Sequence, residues 1–167
     1  MAKFFAKIVT VTDPFDQNQT VKMVENVIKT GNDCDENWCT NLYGGFWKET
    51  SRDGSFRGKA AAVGDYYNET IDKFSKPQEF ASWTFNSVTN EWEAPIARPT
   101  ILSYETIAVE NPETPYLTAK PGDILTNYYY LHWDEDNQKW TTVNKAEKQN
   151  LEWNPTTLSW DVVSTYE

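Results

Sequence analysis

The sequence predicts a mainly β protein, built from short antiparallel strands and aromatic-paired β-hairpins, with one short α-helix near residues 35–43. Aromatic residues make up 15% of the 167 residues, a share that a disordered chain does not reach. Seven of the eight prolines lie between residues 77 and 155, where they exclude long helices. A pair of rings seven residues apart recurs four times, each time with Asn or Asp directly after the first ring.

Two strands are predicted at the N-terminal end. Residues 2–11 combine Phe, Ile and Val with β-branched Thr, and Asp13-Pro14 ends this strand. Residues 20–30 contain three Val residues and one Ile, whose spacing fits a helix and whose β-branching fits a strand. We favour the strand for this second segment.

The one helix follows a turn. Asp33 or Asp35 is placed to cap it, because a carboxylate there accepts the free backbone N–H groups of the first turn. Its apolar residues form a stripe, and Gly44-Gly45 ends it, since glycine adopts the left-handed conformation without steric cost.

Strands are predicted to resume after the glycine pair. Residues 47–51 form one strand, and Asp53-Gly54 is a strong signal for a hairpin turn. Residues 56–62 are the predicted return strand, and residues 63–67 are predicted to continue into another.

Residues 111–115, with the sequence Asn-Pro-Glu-Thr-Pro, have the composition of a linker. They separate a predicted N-terminal domain, residues 1–100, which contains the helix, from a predicted C-terminal domain. The predicted C-terminal domain, residues 116–167, is a module of β-hairpins.

Each ring repeat is interpreted as a β-hairpin whose two rings face each other across the strands, where aromatic pairs are stabilising. A four-residue loop then remains between them, and the Asn or Asp side chain accepts from the loop backbone. Such rings pack on each other or on a partner protein; stacking on sugar rings is the alternative. The candidate interaction residues are Tyr67, Phe74, Phe85, Trp92, Trp133, Trp140, Trp153 and Trp160.

The formal net charge of −10 argues against nucleic acid and against an anionic membrane surface as partners. No apolar run is long enough for membrane insertion, and Lys7 interrupts the stretch where a signal peptide would need apolar residues. Cys34 and Cys39 are too few for a disulfide scaffold and are interpreted as reduced thiols of a protein made in the cytoplasm.

The sequence contains no motif typical of catalysis, and we expect no enzymatic activity, no cofactor and no metal. The single histidine, His132, has no ligand partner at suitable spacing. Residues 134–137 resemble the start of a calcium loop but lack its glycine and closing glutamate. A glycan hydrolase stays open as an alternative, since it needs only two carboxylates within about 10 Å of each other in a cleft.

Five short segments of the sequence form a distinctive combination. They are Leu42-Tyr43-Gly44-Gly45-Phe46-Trp47, Gly54-Ser55-Phe56-Arg57, Val63-Gly64-Asp65-Tyr66-Tyr67, Ser82-Trp83-Thr84-Phe85 and Asn90-Glu91-Trp92-Glu93-Ala94-Pro95. With these segments, residues 42–99 resemble small virion structural proteins of tailed phages that infect marine bacteria, especially cyanobacteria. The start of the chain, Ala2-Lys3-Phe4-Phe5-Ala6-Lys7, is similar to the first strand of such proteins.

The resemblance implies a virion component without enzymatic activity, made in the host cytoplasm. The expected function is to dock on other phage virion proteins through the aromatic-faced hairpins, in the tail, neck or fibre or as a head decoration. A second copy of the chain and a host-surface glycan stay open as further partners. The alternative function is a carbohydrate-binding module of a fibre that contacts the host.

Overall fold

The computed structural model describes residues 2–108 and 119–167. It is mainly β, with antiparallel sheets and one short helix, as the sequence predicts. The helix α1 is Glu36–Tyr43, and the strands are β1 Lys3–Thr12, β2 Thr20–Thr30, β3 Phe46–Thr50, β4 Tyr66–Asn68, β5 Lys73–Ser75, β6 Thr84–Asn86, β7 Glu91–Glu93, β8 Ser103–Ile107, β9 Ile124–Tyr128, β10 His132–Asp134, β11 Lys139–Asn144, β12 Gln149–Asn154 and β13 Ser159–Thr165.

The chain divides into two compact units, Met1–Glu93 and Ala94–Glu167. The predicted linker, residues 111–115, lies outside the described residues. The domain boundaries predicted from that linker, at residues 100 and 116, therefore stay predictions.

The N-terminal unit is organised by a five-stranded sheet with the order β3-β1-β2-β4-β5. Strands β1 and β2 pair from Lys3 opposite Thr30 to Thr12 opposite Thr20, with a bulge at Lys7/Ile8. The β-branched residues of the second segment thus form a strand, as favoured from the sequence, because the long pairing with β1 outweighs their helical spacing.

The helix covers one face of this sheet. Asp35 caps it by accepting the N–H of Trp38 at 2.7 Å, and Gly44 ends it with a φ of 67°. Its Cys39 packs with Phe5 and Trp47 in a buried cluster. Both cysteines are free thiols, and burial raises the pKa of Cys39.

A second buried cluster lies on the opposite face of β1, because successive side chains of a strand point to opposite sides. It joins Ala6 and Ile8 of β1 to Val24 of β2 and to the first ring pair, Tyr67 and Phe74. The first hairpin of the repeat therefore closes the core of this unit.

The predicted return strand at residues 56–62 is wrong, and so is the strand start at residue 63. Residues 51–65 form an irregular loop instead. Arg57 and Gly58 have φ values of 56° and 82°, which an extended strand does not allow. Asp53 accepts from the N–H of Ser55 in a local turn, so the Asp-Gly signal is used for a bend.

The C-terminal unit contains a two-stranded sheet, β8-β9, and a four-stranded sheet with the order β10-β11-β12-β13. All pairs in the larger sheet are antiparallel and join consecutive strands. Its buried side chains alternate along β11 and β12, so one face of the sheet forms the core of this unit.

Gly58 lies where three segments of the N-terminal unit meet, and it provides the first test. A Cβ atom there would lie 2.7 Å from Asn90 Nδ2 and 2.9 Å from the carbonyl oxygen of Phe74. We expect Gly58→Ala to lower the free energy of unfolding by about 1–3 kcal/mol more than an unhindered substitution does, because the backbone must shift. Urea denaturation followed by tryptophan fluorescence measures this.

Gly64→Ala is the matched control. Gly64 also has a positive φ, of 91°, but a Cβ atom added to it would have no neighbouring atom within 4 Å. In both variants an alanine must adopt the left-handed conformation, which lowers the free energy of unfolding by about 1–2 kcal/mol. Only in Gly58→Ala does the new Cβ atom also collide with neighbouring atoms. Equal losses in the two variants would contradict the packing described for Gly58.

Candidate functional site

All four ring pairs lie directly opposite each other in the registers predicted from the sequence. The ring centroids are 5.2 Å apart in the Tyr67–Phe74 pair and 5.3 Å apart in the other three. Both Trp–Trp pairs have an interplanar angle of 66°, which is the edge-to-face arrangement that aromatic quadrupoles favour. Tyr67–Phe74 and Phe85–Trp92 lie in the N-terminal unit, and Trp133–Trp140 and Trp153–Trp160 lie in the C-terminal unit.

The Asn or Asp after the first ring fixes the turn. Asn68 Oδ1 accepts the backbone N–H of Thr70 at 3.0 Å, and Asn86, Asp134 and Asn154 make equivalent bonds into their own loops. The fourth loop residue has a positive φ in every copy, at Asp72, Asn90, Gln138 and Leu158. The side-chain bond and the left-handed residue together close a loop of four residues.

A fifth hairpin of the same kind connects β11 to β12 and was missed in the sequence. Asn144 accepts from the N–H groups of Ala146 and Glu147, and Lys148 has a φ of 54°. The residue before the Asn is Val143, which points to the face of the sheet opposite to that of Trp140. A ring at this position would not join the tryptophans, and this hairpin has no ring pair. The signal that identifies it is spacing, since Asp134, Asn144 and Asn154 are ten residues apart.

The ring pairs of the C-terminal unit merge into one row. Trp133 faces Trp140, and Trp153 faces Trp160. Thr141 pairs with Glu152, which places Trp140 opposite Trp153 one residue further along. Four tryptophans therefore cross the sheet side by side on one face.

The residues at the start of the C-terminal unit cover this row. Trp140 donates its indole N–H to the carbonyl of Ile96, and Trp160 donates to the carbonyl of Ile101, both at 2.9 Å. Tyr129 packs on the ring of Trp160 with a centroid distance of 5.4 Å. The indole N–H groups thus find partners within the unit, as buried tryptophans require.

Five of the eight candidate rings are buried: Tyr67, Phe74, Trp133, Trp140 and Trp153. The remaining three, Phe85, Trp92 and Trp160, are half-buried. The row of tryptophans does not form an open platform, so the feature that would have favoured glycan stacking along it is missing. The role of the eight rings in contacts with partners stays a prediction.

Arg57 connects three segments of the N-terminal unit through its guanidinium group. Its guanidinium lies 2.7 Å from Glu36 Oε1 and 2.9 Å from Asp72 Oδ1, and it donates to the carbonyl of Glu49 at 2.7 Å. Arg57 thereby fastens the loop at residues 51–65 to the helix and to the first hairpin. Since each carboxylate is held by a cation, the arrangement is typical of a structural network.

The pKa values in this network follow from the same contacts. Burial raises the pKa of Glu36, but the N–H of Glu49 and the side chains of Arg57 and Lys48 outweigh burial, so that the net pKa is lowered. The pKa of Asp72 is also lowered, since bonds from Tyr67 and Arg57 exceed the effect of burial. Burial and the bond to Asp72 raise the pKa of Tyr67.

The other polar candidates make local contacts. His132 is exposed at the start of β10. Asp134 accepts from the N–H and the side-chain amide of Asn137, which lowers its pKa and holds the hairpin tip. Among the described residues, no three His, Cys, Asp or Glu side chains come together in a way that could hold a metal ion.

The lowered pKa of Glu36 predicts a pH dependence of stability. A folded-state pKa below the unfolded value means that the stabilisation is present above about pH 4 and is lost as the pH falls through the folded-state pKa. We expect the free energy of unfolding to fall between about pH 5 and about pH 3, and to fall less steeply in Glu36→Gln. Glu105→Gln, at an exposed position on β8, is the control. Identical slopes in the wild type and Glu36→Gln would contradict the network.

Comparisons with known proteins return no match, whether with family models, with curated proteins or with solved structures. Within residues 2–108 and 119–167, no helix combines the length and apolar character that a membrane crossing requires.

Proposed function

We propose that this chain is a non-enzymatic structural protein of a tailed phage particle, where it docks on other virion proteins. The proposal rests on the sequence resemblance over residues 42–99 and on one structural observation, the outer edge of β13. The protein would belong to the tail, the neck or a fibre, or would decorate the head. Its hairpins present the edges that dock, and the paired rings stabilise those hairpins.

The edge of β13 is the observation that supports docking most directly. In the described part of the chain, β13 pairs with β12 alone, so its other side has unpaired backbone groups. It is exposed from Asp161 onward, and Val162 and Val163 are about half exposed, with Val163 the extra residue at a register shift in the pairing with β12. Soluble proteins protect such edges with Lys, Pro or bulges, and β13 has one register shift at Val163 but neither Lys nor Pro. An edge of this kind is suited to accept a strand of a partner.

A second apolar surface lies on the two-stranded sheet of the same unit. Ile107 and Ile124 face each other across β8 and β9 and are 69% and 68% exposed. Tyr128 on the same face is 72% exposed. Exposed apolar groups that lie together in this way are typical of interaction surfaces.

Other virion proteins suit this surface better than a second copy of the chain. Each copy has a formal net charge of −10, so two copies repel each other in solution. The same charge keeps the free protein soluble before it assembles. The proposed partner is therefore a different particle protein that presents a strand or an apolar surface.

Incorporation into particles tests this proposal. We expect mass spectrometry of purified particles, from the phage that encodes this chain, to detect the protein. A lysine on an exposed edge strand blocks strand pairing, so we expect Val163→Lys to reduce incorporation about tenfold, equivalent to about 1.4 kcal/mol of docking free energy.

Val88→Lys is the matched control, because Val88 is 89% exposed at a hairpin tip of the N-terminal unit. It introduces the same change away from β13, and we expect normal incorporation. Both variants should melt at the temperature of the wild-type protein. Particles that lack the wild-type chain, or equal incorporation of Val163→Lys and Val88→Lys, would contradict the proposal.

A further inference from the structure

The N-terminal unit has an open groove of about 320 Å³ between the first two ring hairpins. This volume is at the lower end of the range for small-molecule sites. Tyr66, Asn68 and Ser75 of the first hairpin line it together with Phe85 and Trp92 of the second. The groove lies apart from β13 and has no part in the docking proposed above.

Aromatic rings form one side of the groove. Phe85 and Trp92 lie at 60° to each other with a centroid distance of 5.3 Å, and Trp92 is held in place because its indole N–H donates to the carbonyl of Lys76. Both rings are half-buried, so part of each is open. The face of such a ring is electron-rich and attracts the partly positive C–H groups of a sugar ring.

The first hairpin departs from two other copies of the repeat at this groove. Asn86 and Asn154 each donate their side-chain N–H to a carboxylate seven residues on, Glu93 and Asp161. The equivalent residue after Asn68 is Ser75, and Asn68 Nδ2 has no acceptor among the residues that the structure describes. The amide that closes other hairpins is therefore available to a ligand.

Ser75 supplies a second unpartnered group. It is only 4% exposed, it lines the groove, and its hydroxyl makes no hydrogen bond to a described residue. Its oxygen is not among the buried polar atoms that lack a partner, so it is open to water in the groove, and a ligand hydroxyl can replace that water. Gln78 adds an acceptor, because its amide N–H groups donate to the carbonyls of Phe80, Ala81 and Trp83 and leave Oε1 open.

The charges at the groove favour a neutral ligand. Lys22 is paired with Glu69 at 2.5 Å, which leaves Asp13 as the uncompensated charge among the lining residues. A negative rim repels phosphates and acidic sugars. Mixed donors and acceptors match the hydroxyl groups of a neutral sugar, each of which donates and accepts.

We propose that this groove binds the end of a neutral glycan. One sugar ring packs on Trp92 and Phe85, and its hydroxyls bond to Asn68, Ser75 and Gln78. The inference is independent of the proposed particle function, since an isolated protein suffices to test it.

The experiment titrates the full chain with maltohexaose, cellohexaose, mannohexaose and chitohexaose by ¹H–¹⁵N NMR and calorimetry. At least one should bind and shift the signals of Asn68, Gln78 and the Trp92 indole N–H. Asn68→Asp should weaken this binding about tenfold, because it keeps the turn acceptor, as Asp134 does in its copy, and removes the donor.

Asn154→Asp is the control at the same repeat position in the C-terminal unit: it removes the bond to Asp161 and places two carboxylates together, but it does not alter the groove, so affinity should be unchanged. If Asn68→Asp unfolds at a lower temperature than the wild type, Ser75→Ala takes its place as the test. A loss of glycan affinity of about tenfold in Ser75→Ala supports the site. The proposal is overturned if no neutral probe binds at millimolar concentration, if sialyllactose binds more tightly than lactose, or if Ser75→Ala binds like the wild type.

Discussion

The hairpin turn closed by an Asn or Asp side chain is the interaction on which the rest of this structure depends. It occurs five times within the described residues, and in each copy the side chain accepts from the loop backbone while the fourth loop residue has a left-handed conformation. Because the loop length is constant, the register of each hairpin is fixed locally. Rings at the two flanking positions then lie opposite each other across the strands, and no contact with the rest of the chain is needed to pair them.

The two units use the same hairpin for different purposes. In the N-terminal unit, the Tyr67–Phe74 pair closes a sheet whose other core residues are aliphatic. In the C-terminal unit, two pairs join into a row of four tryptophans that takes the place of an aliphatic core. The chain therefore reaches a folded state with few aliphatic residues.

The local features of the fold could be predicted from the sequence. The registers of the ring hairpins and the Asp35 cap are confirmed, because each depends on residues within one turn. The loop at residues 51–65 could not be predicted, because Arg57 is held by Glu36, a contact 21 residues distant in sequence. The burial of the tryptophan row also depends on a distant segment, at Ile96 and Ile101. The groove could not be predicted either, because residues of two separate hairpins line it.

The free energy of unfolding of Trp140→Ala tests the central claim most directly, since Trp140 lies inside the row and is 7% exposed. Tyr130→Ala, at a ring that is 80% exposed in the same unit, is the reference. If paired rings form the core, chemical denaturation will show a loss of about 2–4 kcal/mol for Trp140→Ala and little change for Tyr130→Ala. A Trp140→Ala protein as stable as the wild type would contradict the account.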